Sequence, residues 1–310
     1  MRHLILVHQK TKQDPEDYAE IARRIHERTD DIRVFIAGTK DKDWHQADEA
    51  YSAPSLTVAP MPFKHFAPRG GTVLVGEEYP KGYQYERMEA QGVPVPEWVR
   101  ITPEIALDPE HWGPYVVVKP ELGRKGSEIF ITRTHRVRYK PAEDFPPEHP
   151  IHEAPLMAQR FIYTGRWPYH FRIVTFLGKC ILAWHIEQSH DFPPLEEKWK
   201  FDAAGGGISI VSNKRSSSYV ETDDAGAIAV AEAAHRALPE VPLLGCDVVR
   251  EAESGDYYML ECNPRGDAWL ISSAIGRDIQ RIHGLDSPNQ FGAIEIATTA
   301  LIEATRERAS

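Results

Sequence analysis

The 310-residue chain has few cysteines, no long hydrophobic run and no recognisable targeting segment. Cys180, Cys246 and Cys262 are too few and too scattered for a disulfide framework or a CxxC zinc site, so a reduced, cytoplasmic setting is expected. No apolar stretch approaches the roughly 18 residues that span a bilayer, and the apolar start MRHLILVHQK turns polar too soon for a signal peptide. The sequence therefore predicts a protein without a membrane partner.

Positive charge is also scarce, because 36 lysines and arginines face 46 aspartates and glutamates, which gives a net charge of −10. This balance does not favour nucleic acid as a partner, although it allows a small basic pocket for phosphates. The 14 histidines contain no HExxH pair, which favours ordinary surface and core histidines over a histidine metal site. With 42% hydrophobic and 26% charged residues, the chain has the composition of a folded globular protein.

The first ninety residues alternate between strand and helix patterns. HLILVH and IRVFIAG are typical of strands, and between them a helix begins at Pro15 with Asp14 as its N-cap. A third strand is expected in residues 71–77, whereas the polar, proline-rich residues 38–69 show no clear order. This alternation predicts a parallel sheet covered by helices. No GxGxxG follows the first strand, so a dinucleotide site is not expected.

The remainder of the chain consists mainly of apolar strands and hairpins. A helix is expected from Lys81 to Gln91, because Gly92 and two prolines follow it. Single strands are expected in YVVVKP, IFITRT and LMAQR, and hairpins in HFRIVTFLGKCILAWHI and LLGCDVVREAESGDYYMLECNP. DDAGAIAVAEAAHRAL and FGAIEIATTALIEATRER are typical of helices, and residues 187–219 of a loop-rich segment. The predicted fold class is α/β, with a parallel sheet first and antiparallel sheets after it.

The sharpest chemical signal is a hairpin that carries Asp247 on one strand and Glu261 and Asn263 on the next. Glu261 and Asn263 are two residues apart and share a strand face, and a turn near residues 254–255 brings Asp247 to that face. Two carboxylates and an amide form an all-oxygen site, which suits Mg²⁺ with nucleotide phosphates completing its coordination. The alternative is a solvated strand face, but the neighbouring apolar residues favour a site.

Two further signals concern phosphates. Lys119 stands inside the apolar run YVVVKP, where it either directs its charge at a phosphate or extends to solvent. The loop LGRKGS at residues 122–127 has two glycines and two cations that could fold over phosphates. The alternative is an ordinary turn, which can have the same residue types. The P-loop pattern GxxxxGK[ST] is absent.

In their order along the chain, these pieces resemble the ATP-grasp superfamily of ATP-dependent carboxylate–amine ligases. KGYQYERMEAQGVPVPEW resembles its lead-in helix, VVVKP its nucleotide-lysine strand and LGRKGSEIF its phosphate-covering loop. AQRFIYTG resembles the hinge strand that holds adenine, and GCDVV and LECNPRG resemble the paired magnesium strands. The resemblance covers residues 81–266. It implies a Rossmann-like pre-ATP-grasp domain at 1–92, a small lid subdomain at 93–155 and a C-terminal subdomain with the magnesium site at 156–310.

The resemblance also implies roles for single residues. ATP would be bound by residues of the lead-in helix, lysine strand, phosphate loop and hinge strand, namely Lys81, Lys119, Gly123, Lys125, Gly126, Ser127, Gln159, Arg160 and Ile162. In the hinge, Gln159 would read the adenine amino group together with backbone groups of Arg160 and Ile162. The metal, Mg²⁺ or Mn²⁺, would be held by Asp247, Glu261 and Asn263.

One position departs from part of the family. Some amino-acid ligases carry an arginine two residues before the first magnesium aspartate, where this chain has Gly245. The charge of the transferring phosphoryl group must therefore be met by other cations, for which Arg172, Arg265 and Lys200 are the candidates.

The implied reaction activates a carboxylate as an acyl phosphate, which an amine, or a thiol, then attacks. The expected partners are a small-molecule carboxylate and amine, in particular an amino acid or small peptide, because much of the superfamily joins such molecules. Two alternatives are a small-molecule kinase of the same fold and a nucleotide-binding regulator without turnover. The complete set of metal ligands argues against the regulator. Oligomeric state stays open, a homodimer included.

Overall fold

Three β-sheets and eight helices make up the part of the chain that the computed structural model describes, residues 1–122, 129–188, 217–265 and 268–310. Sheet A has the order β2-β1-β3-β4 and consists of β1 (Arg2–His8), β2 (Ile32–Gly38), β3 (Ser55–Ala59) and β4 (Thr72–Val75). All its pairings are parallel, so the predicted parallel sheet is confirmed. Strand β3 lies in the stretch for which the sequence showed no clear order.

Helix α1 (Pro15–Arg28) covers one face of sheet A. Its predicted start is confirmed, because the Asp14 side chain accepts a hydrogen bond from the Glu16 amide at 3.0 Å. The helix buries Tyr18, Ile21, Ala22 and Ile25, which lie on one side at helical spacing. The opposite face of the sheet packs against the short helix α2 (Ala47–Ala50) and an aromatic cluster of Phe35, Trp44 and Phe66.

Sheet B is antiparallel and has the order β5-β8-β6-β7. Its strands are β5 (Trp98–Arg100), β6 (Tyr115–Pro120), β7 (Phe130–Arg133) and β8 (Leu156–Arg160). The preceding helix, α3 (Lys81–Ala90), ends one residue earlier than predicted, and Gly92 follows with a φ of 71°. The short helix α4 (Pro109–Trp112) packs Trp112 against the outer face of the sheet, together with Val116 and Val118.

Sheet C is antiparallel and has the order β11-β10-β9-β12-β13. Its strands are β9 (Tyr169–Phe176), β10 (Lys179–Glu187), β11 (Ser218–Glu221), β12 (Leu243–Arg250) and β13 (Tyr257–Asn263). Both predicted hairpins are confirmed, with positive φ angles at Gly178 and Gly255 in their turns. Strand β11 lies partly in the segment predicted to be a loop, most of which, residues 189–216, is outside the described residues. Helix α5 (Ala225–Ala237) covers one face of the sheet.

Three helices complete the chain: α6 (Ala274–His283), α7 (Ser287–Gln290) and α8 (Ala293–Arg308). Helix α8 packs in one hydrophobic core with α1, with Leu4 and Leu6 of sheet A, and with Val174 and Trp184 of sheet C. Sheets A and C are therefore joined through a continuous core. No helix within the described ranges is long and apolar enough to cross a membrane.

Candidate active site

The hairpin of β12 and β13 places the predicted metal ligands on one face of sheet C. Asp247 lies directly opposite Glu261, and Gly245 lies opposite Asn263. The residues between them, Cys246 and Cys262, face the core under α5. Because strand side chains alternate between faces, the two carboxylates and the amide project to the side away from α5, as their spacing predicts.

The amide of Asn263 is oriented by a neighbouring backbone group. Its Nδ2 donates a hydrogen bond to the Gly245 carbonyl oxygen at 3.3 Å. The amide oxygen is therefore the atom that remains for a cation. Together with Asp247 and Glu261 it forms the hard-oxygen donor set that Mg²⁺ prefers.

Strand β9 supplies a cation to Asp247. Arg172 lies opposite Asp247 in the register, and its Nε and Nη2 donate to Oδ1 and Oδ2 at 2.6 and 3.1 Å. The side chains of Arg172 and Asp247 are only 13% and 17% exposed. Burial raises the pKa of Asp247, and the Arg172 guanidinium opposes that shift. The pair is thus a bidentate, mostly buried ion pair.

His170, two residues before Arg172, approaches the same carboxylate. Its Nε2 lies 3.5 Å from Asp247 Oδ1, and the atom is buried without a hydrogen-bond partner among the described residues. Burial and the neighbouring charge of Arg172 together lower the pKa of His170 to about 3. His170 is therefore neutral at physiological pH, so Arg172 is the charged partner of Asp247 on this strand.

The charged side chains form a row across sheet C. Glu261 stands beside Asp247, Asp247 beside Arg172, and Arg172 beside Trp184 of β10. Trp184 is 1% exposed, and its indole nitrogen donates to Ser287 Oγ at 2.8 Å. The row thus begins with two carboxylates, continues with a cation and ends at a fixed apolar ring.

Lys119 of β6 reaches the hairpin of β12 and β13 from sheet B. It is 4% exposed, and its Nζ donates to Tyr85 Oη at 2.8 Å and to the Leu260 carbonyl oxygen at 3.3 Å. Burial lowers the pKa of Lys119 to about 7, while Glu261 opposes the shift. The side chain therefore does not extend to solvent, which was one of the two alternatives that its sequence context left open.

A β-bulge explains why Leu260 can accept this hydrogen bond. The pairing passes from Asp247–Glu261 to Val248–Met259, so Leu260 is the extra residue of β13. An extra residue in a bulge has no partner in the ladder. Its carbonyl oxygen accepts instead from Lys119 and from the Tyr85 hydroxyl. The irregularity thus connects β13 to sheet B.

Tyr85 is a site residue that sequence reasoning missed. Its side chain is fully buried on α3, and its hydroxyl receives hydrogen bonds from Lys119 and from Gln159 Nε2, the latter at 3.1 Å. Gln159 is itself 1% exposed. The signal was present, since Tyr85 stands four residues after Lys81 and therefore on the same face of a helix.

Lys81 and Glu121 join the helix to both sheets. Lys81 is 6% exposed, and its Nζ lies 3.8 Å from Glu261 Oε1. Its backbone amide donates to the Glu121 carbonyl oxygen at 3.0 Å. The Glu121 carboxylate is also buried and pairs with Arg100 of β5. Glu121, which follows Lys119 by two residues, was not singled out from the sequence.

The backbone amides of Arg160 and Ile162 differ in whether they already donate a hydrogen bond. The Arg160 amide already donates to the Glu97 carbonyl oxygen at 2.8 Å, and its side chain lies 4.0 Å from Glu251. Among the described residues, none hydrogen-bonds the amide of Ile162, which is 7% exposed. Of these two amides, that of Ile162 is the one left for a ligand.

Arg265 lies where the end of β13 meets the end of sheet A. Its Nη1 is 3.4 Å from Glu78 Oε2, and its Nε is buried without a hydrogen-bond partner among the described residues. A Cβ on Gly76 would lie 2.9 Å from the Pro264 carbonyl oxygen, so this junction needs glycine. About a quarter of each charged side chain is exposed, 28% for Arg265 and 27% for Glu78.

The structure also accounts for the glycine at position 245. A Cβ at Gly245 would lie 2.9 Å from the Ala268 Cβ, so no larger residue fits without a shift. The same Cβ would be 4.0 Å from Arg172 Nη1. The guanidinium of Arg172 therefore lies next to the position that a longer side chain at residue 245 would enter.

Five of the predicted site residues lie outside the described part of the chain. They are Gly123, Lys125, Gly126 and Ser127 of the phosphate loop, and Lys200. Their roles stay predictions.

Solved structures resemble this chain in fold. The structure of D-cycloserine synthetase DcsG matches 91% of this chain and 99% of its own with a TM-score of 0.50 and 15% identity. The structure of the ATP-grasp ligase PsnB, complexed with a phosphomimetic variant of its minimal precursor, Mg and ADP, matches 97% of this chain and 98% of its own. Its TM-score is 0.48 and its identity 15%. The structure of D-alanine–D-alanine ligase from Bacillus anthracis matches 99% of this chain and 99% of its own, with a TM-score of 0.46 and 14% identity. No protein-family model and no curated protein sequence matches the chain. The chain therefore shares the fold of D-cycloserine synthetase DcsG.

Proposed function

We propose that this protein is an ATP- and Mg²⁺-dependent ligase that joins a carboxylate to an amine. The observation that carries the proposal is the meeting of two sets of residues. Buried cations and a buried amide, Lys81, Lys119 and Gln159, adjoin the oxygen donors of β12 and β13. A site with cations for phosphates and oxygens for a divalent metal suits a metal–nucleotide complex.

The nucleotide would lie between sheets B and C. Lys119 would contact its phosphates. With a pKa of about 7 the amine is only partly charged near neutral pH, and phosphates beside it would stabilise its charged form. Gln159, fixed through Tyr85, would read the adenine edge with the amide of Ile162. The alternating strand faces place Val117 on the same side as Lys119, where a base can pack.

The metal would be held by Asp247, Glu261 and Asn263 together with phosphate oxygens. Within the described residues no group of three or more His, Cys, Asp or Glu side chains is arranged to hold a metal by itself. This agrees with a metal that arrives with phosphates, as Mg²⁺ does in kinases and ATPases. When bound, the metal would neutralise phosphate charge; Mn²⁺ has the same oxygen preference.

The proposed reaction has two steps. A substrate carboxylate oxygen attacks the γ-phosphorus of ATP, the bond to the bridging oxygen breaks, and an acyl phosphate and ADP form. An amine then attacks the acyl carbon and releases inorganic phosphate and a proton. Arg172 and Arg265 flank the metal ligands and would offset the negative charge that develops. The remaining task of the site is to position the reactants.

We further propose an amino acid or a small peptide as substrate. Arg265 and Glu78 present a cation and an anion side by side at the junction with sheet A, both partly exposed. A zwitterion carries the complementary pair of charges. Its carboxylate would replace Glu78 beside Arg265, and its ammonium group would pair with Glu78.

The proposal is tested by ADP release from paired carboxylates and amines, with mass spectrometry of the products. ADP formation that needs both partners, with a product lighter than their sum by one water, supports the ligase. A phosphorylated product from one partner would indicate a kinase instead. ATP binding without ADP formation for any pair would indicate a regulator. The Glu261→Gln variant is the control for contaminating ATPases, because it removes a proposed metal ligand.

A further inference from the structure

We propose that Arg172 and the divalent cation are alternative partners of Asp247, so that metal binding releases the guanidinium for the anion formed in the reaction. This inference rests on the proposed function. The starting observation is that Arg172 engages both oxygens of Asp247, at 2.6 and 3.1 Å. A metal ligand whose two oxygens are already bound by a cation is not freely available to a metal.

The register of sheet C makes this competition specific to Asp247. Asp247 stands between Glu261 on one side and Arg172 on the other. Glu261 is more exposed, at 26%, and the Lys81 Nζ lies 3.8 Å from its Oε1. Of the two carboxylates, Glu261 is thus loosely paired and Asp247 tightly paired. A cation that bridges both would compete with Arg172 for Asp247 while it leaves Lys81 nearly undisturbed.

The released guanidinium would stay close to the proposed metal ligands. Arg172 Nη1 takes no part in the pair with Asp247 and lies 4.0 Å from where a Gly245 side chain would begin. Gly245 lies opposite Asn263, so this space is beside the third metal ligand. A small rotation of Arg172 away from Asp247 would keep the guanidinium near the metal and present its donors to a phosphoryl or carboxylate oxygen.

His170 does not compete with the metal in the same way. Its Nε2 is 3.5 Å from Asp247 Oδ1, longer than a strong hydrogen bond and longer than either contact of Arg172. Electrostatic competition for Asp247 on β9 therefore comes from Arg172 alone. Metal binding without nucleotide should be weak for this reason, and nucleotide phosphates should make the exchange favourable.

The first test measures Mn²⁺ binding by electron paramagnetic resonance in the protein without nucleotide. Arg172→Met should tighten Mn²⁺ binding by about tenfold or more, because Asp247 loses its competing cation. Arg265→Met is the matched control, since it removes the same charge near the ligands without touching Asp247, and should change the affinity by less than about threefold. Unchanged or weaker Mn²⁺ binding in folded Arg172→Met would overturn the exchange.

The second test is read on the parent protein, and a variant serves only to assign one signal. The Nε–Hε signal of Arg172, assigned by its loss in Arg172→Lys, should shift when Mg²⁺ and a non-hydrolysable ATP analogue are added. Calorimetry of the same mixture reports binding itself. Binding with an unmoved Arg172 signal overturns the exchange alone, whereas no binding at all overturns the proposed function and the exchange with it.

Discussion

ATP binding should be accompanied by uptake of a proton at Lys119. In the free protein the Lys119 amine is buried against Tyr85 and Leu260, and burial lowers its pKa to about 7. Glu261 and Asp247 act in the opposite direction, and Lys81 adds to the lowering. Phosphates placed beside the amine favour its charged form and return its pKa toward the ordinary value above 10.

The size of the effect follows from the two pKa values. At pH 8 a group with a pKa of about 7 is about one-tenth protonated, so ATP binding should take up about 0.9 proton. At pH 6 the amine is already charged and the uptake should be about 0.1 proton. ATP affinity should therefore fall as the pH rises above 7, by up to about tenfold for each pH unit.

Calorimetry in buffers of different ionisation enthalpy measures this uptake directly. Lys119→Met should abolish the buffer dependence at pH 8 and weaken ATP binding. Lys179→Met, which removes an exposed lysine from the turn of another hairpin, should leave both unchanged. An apparent enthalpy that is the same in all buffers at pH 8 in the parent would refute the assignment of Lys119 to the phosphates.

The same pKa has a consequence for stability. Between pH 7 and 10 the folded protein binds fewer protons at Lys119 than the unfolded chain, so the free energy of unfolding rises with pH in this window. The destabilisation that comes from burying the charged amine is fully present below pH 7. A lysine held at a pKa of about 7 instead of 10.5 destabilises the fold by about 4 kcal/mol at pH 7. Lys119→Met should therefore raise the free energy of unfolding in urea, more at pH 7 than at pH 9.

Three further substitutions test the packing around the site. Tyr85→Phe removes the nearer of the two acceptors of Lys119 and should lower the free energy of unfolding by about 1–3 kcal/mol in urea titrations; an unchanged midpoint would mean that the hydroxyl is dispensable. Glu261→Gln should abolish turnover and weaken Mn²⁺ binding measured with ADP present, because a ligand charge is lost; parental turnover would remove Glu261 from the metal site. Gly245→Ala should destabilise the fold by about 1–3 kcal/mol, since its Cβ would lie 2.9 Å from that of Ala268; an unchanged melting temperature would contradict that contact.

Local patterns predicted the elements that carry the site. The hairpin of Asp247 and Glu261 could be read from strand alternation and a glycine turn, and the structure pairs the two residues directly. Helix α1 could be read from its cap, its proline and its apolar spacing. Strand alternation, turns and helix caps are determined by residues that are close together in the chain. Such local patterns can be recognised in a single sequence.

What the sequence left open depends on contacts between distant segments. Lys119 is buried because α3 and the bulged strand β13 close over it, and nothing within YVVVKP reveals either. The partner of Arg172 could not be known without the order of strands in sheet C. Strand β3 was missed because its five residues are surrounded by polar and proline-rich sequence. Tyr85 was missed although its spacing from Lys81 was visible.

The contact between α1 and α8 constrains the order in which the protein can be completed during synthesis. Helix α1 ends at Arg28 and α8 begins at Ala293, yet both pack in one core. The ribosome makes α8 about 265 residues after α1, which at about 5–20 residues per second is a delay of roughly 13–50 seconds. Throughout that interval the apolar face of sheet A lacks part of its cover. The nascent chain should therefore depend on chaperones until α8 emerges and docks.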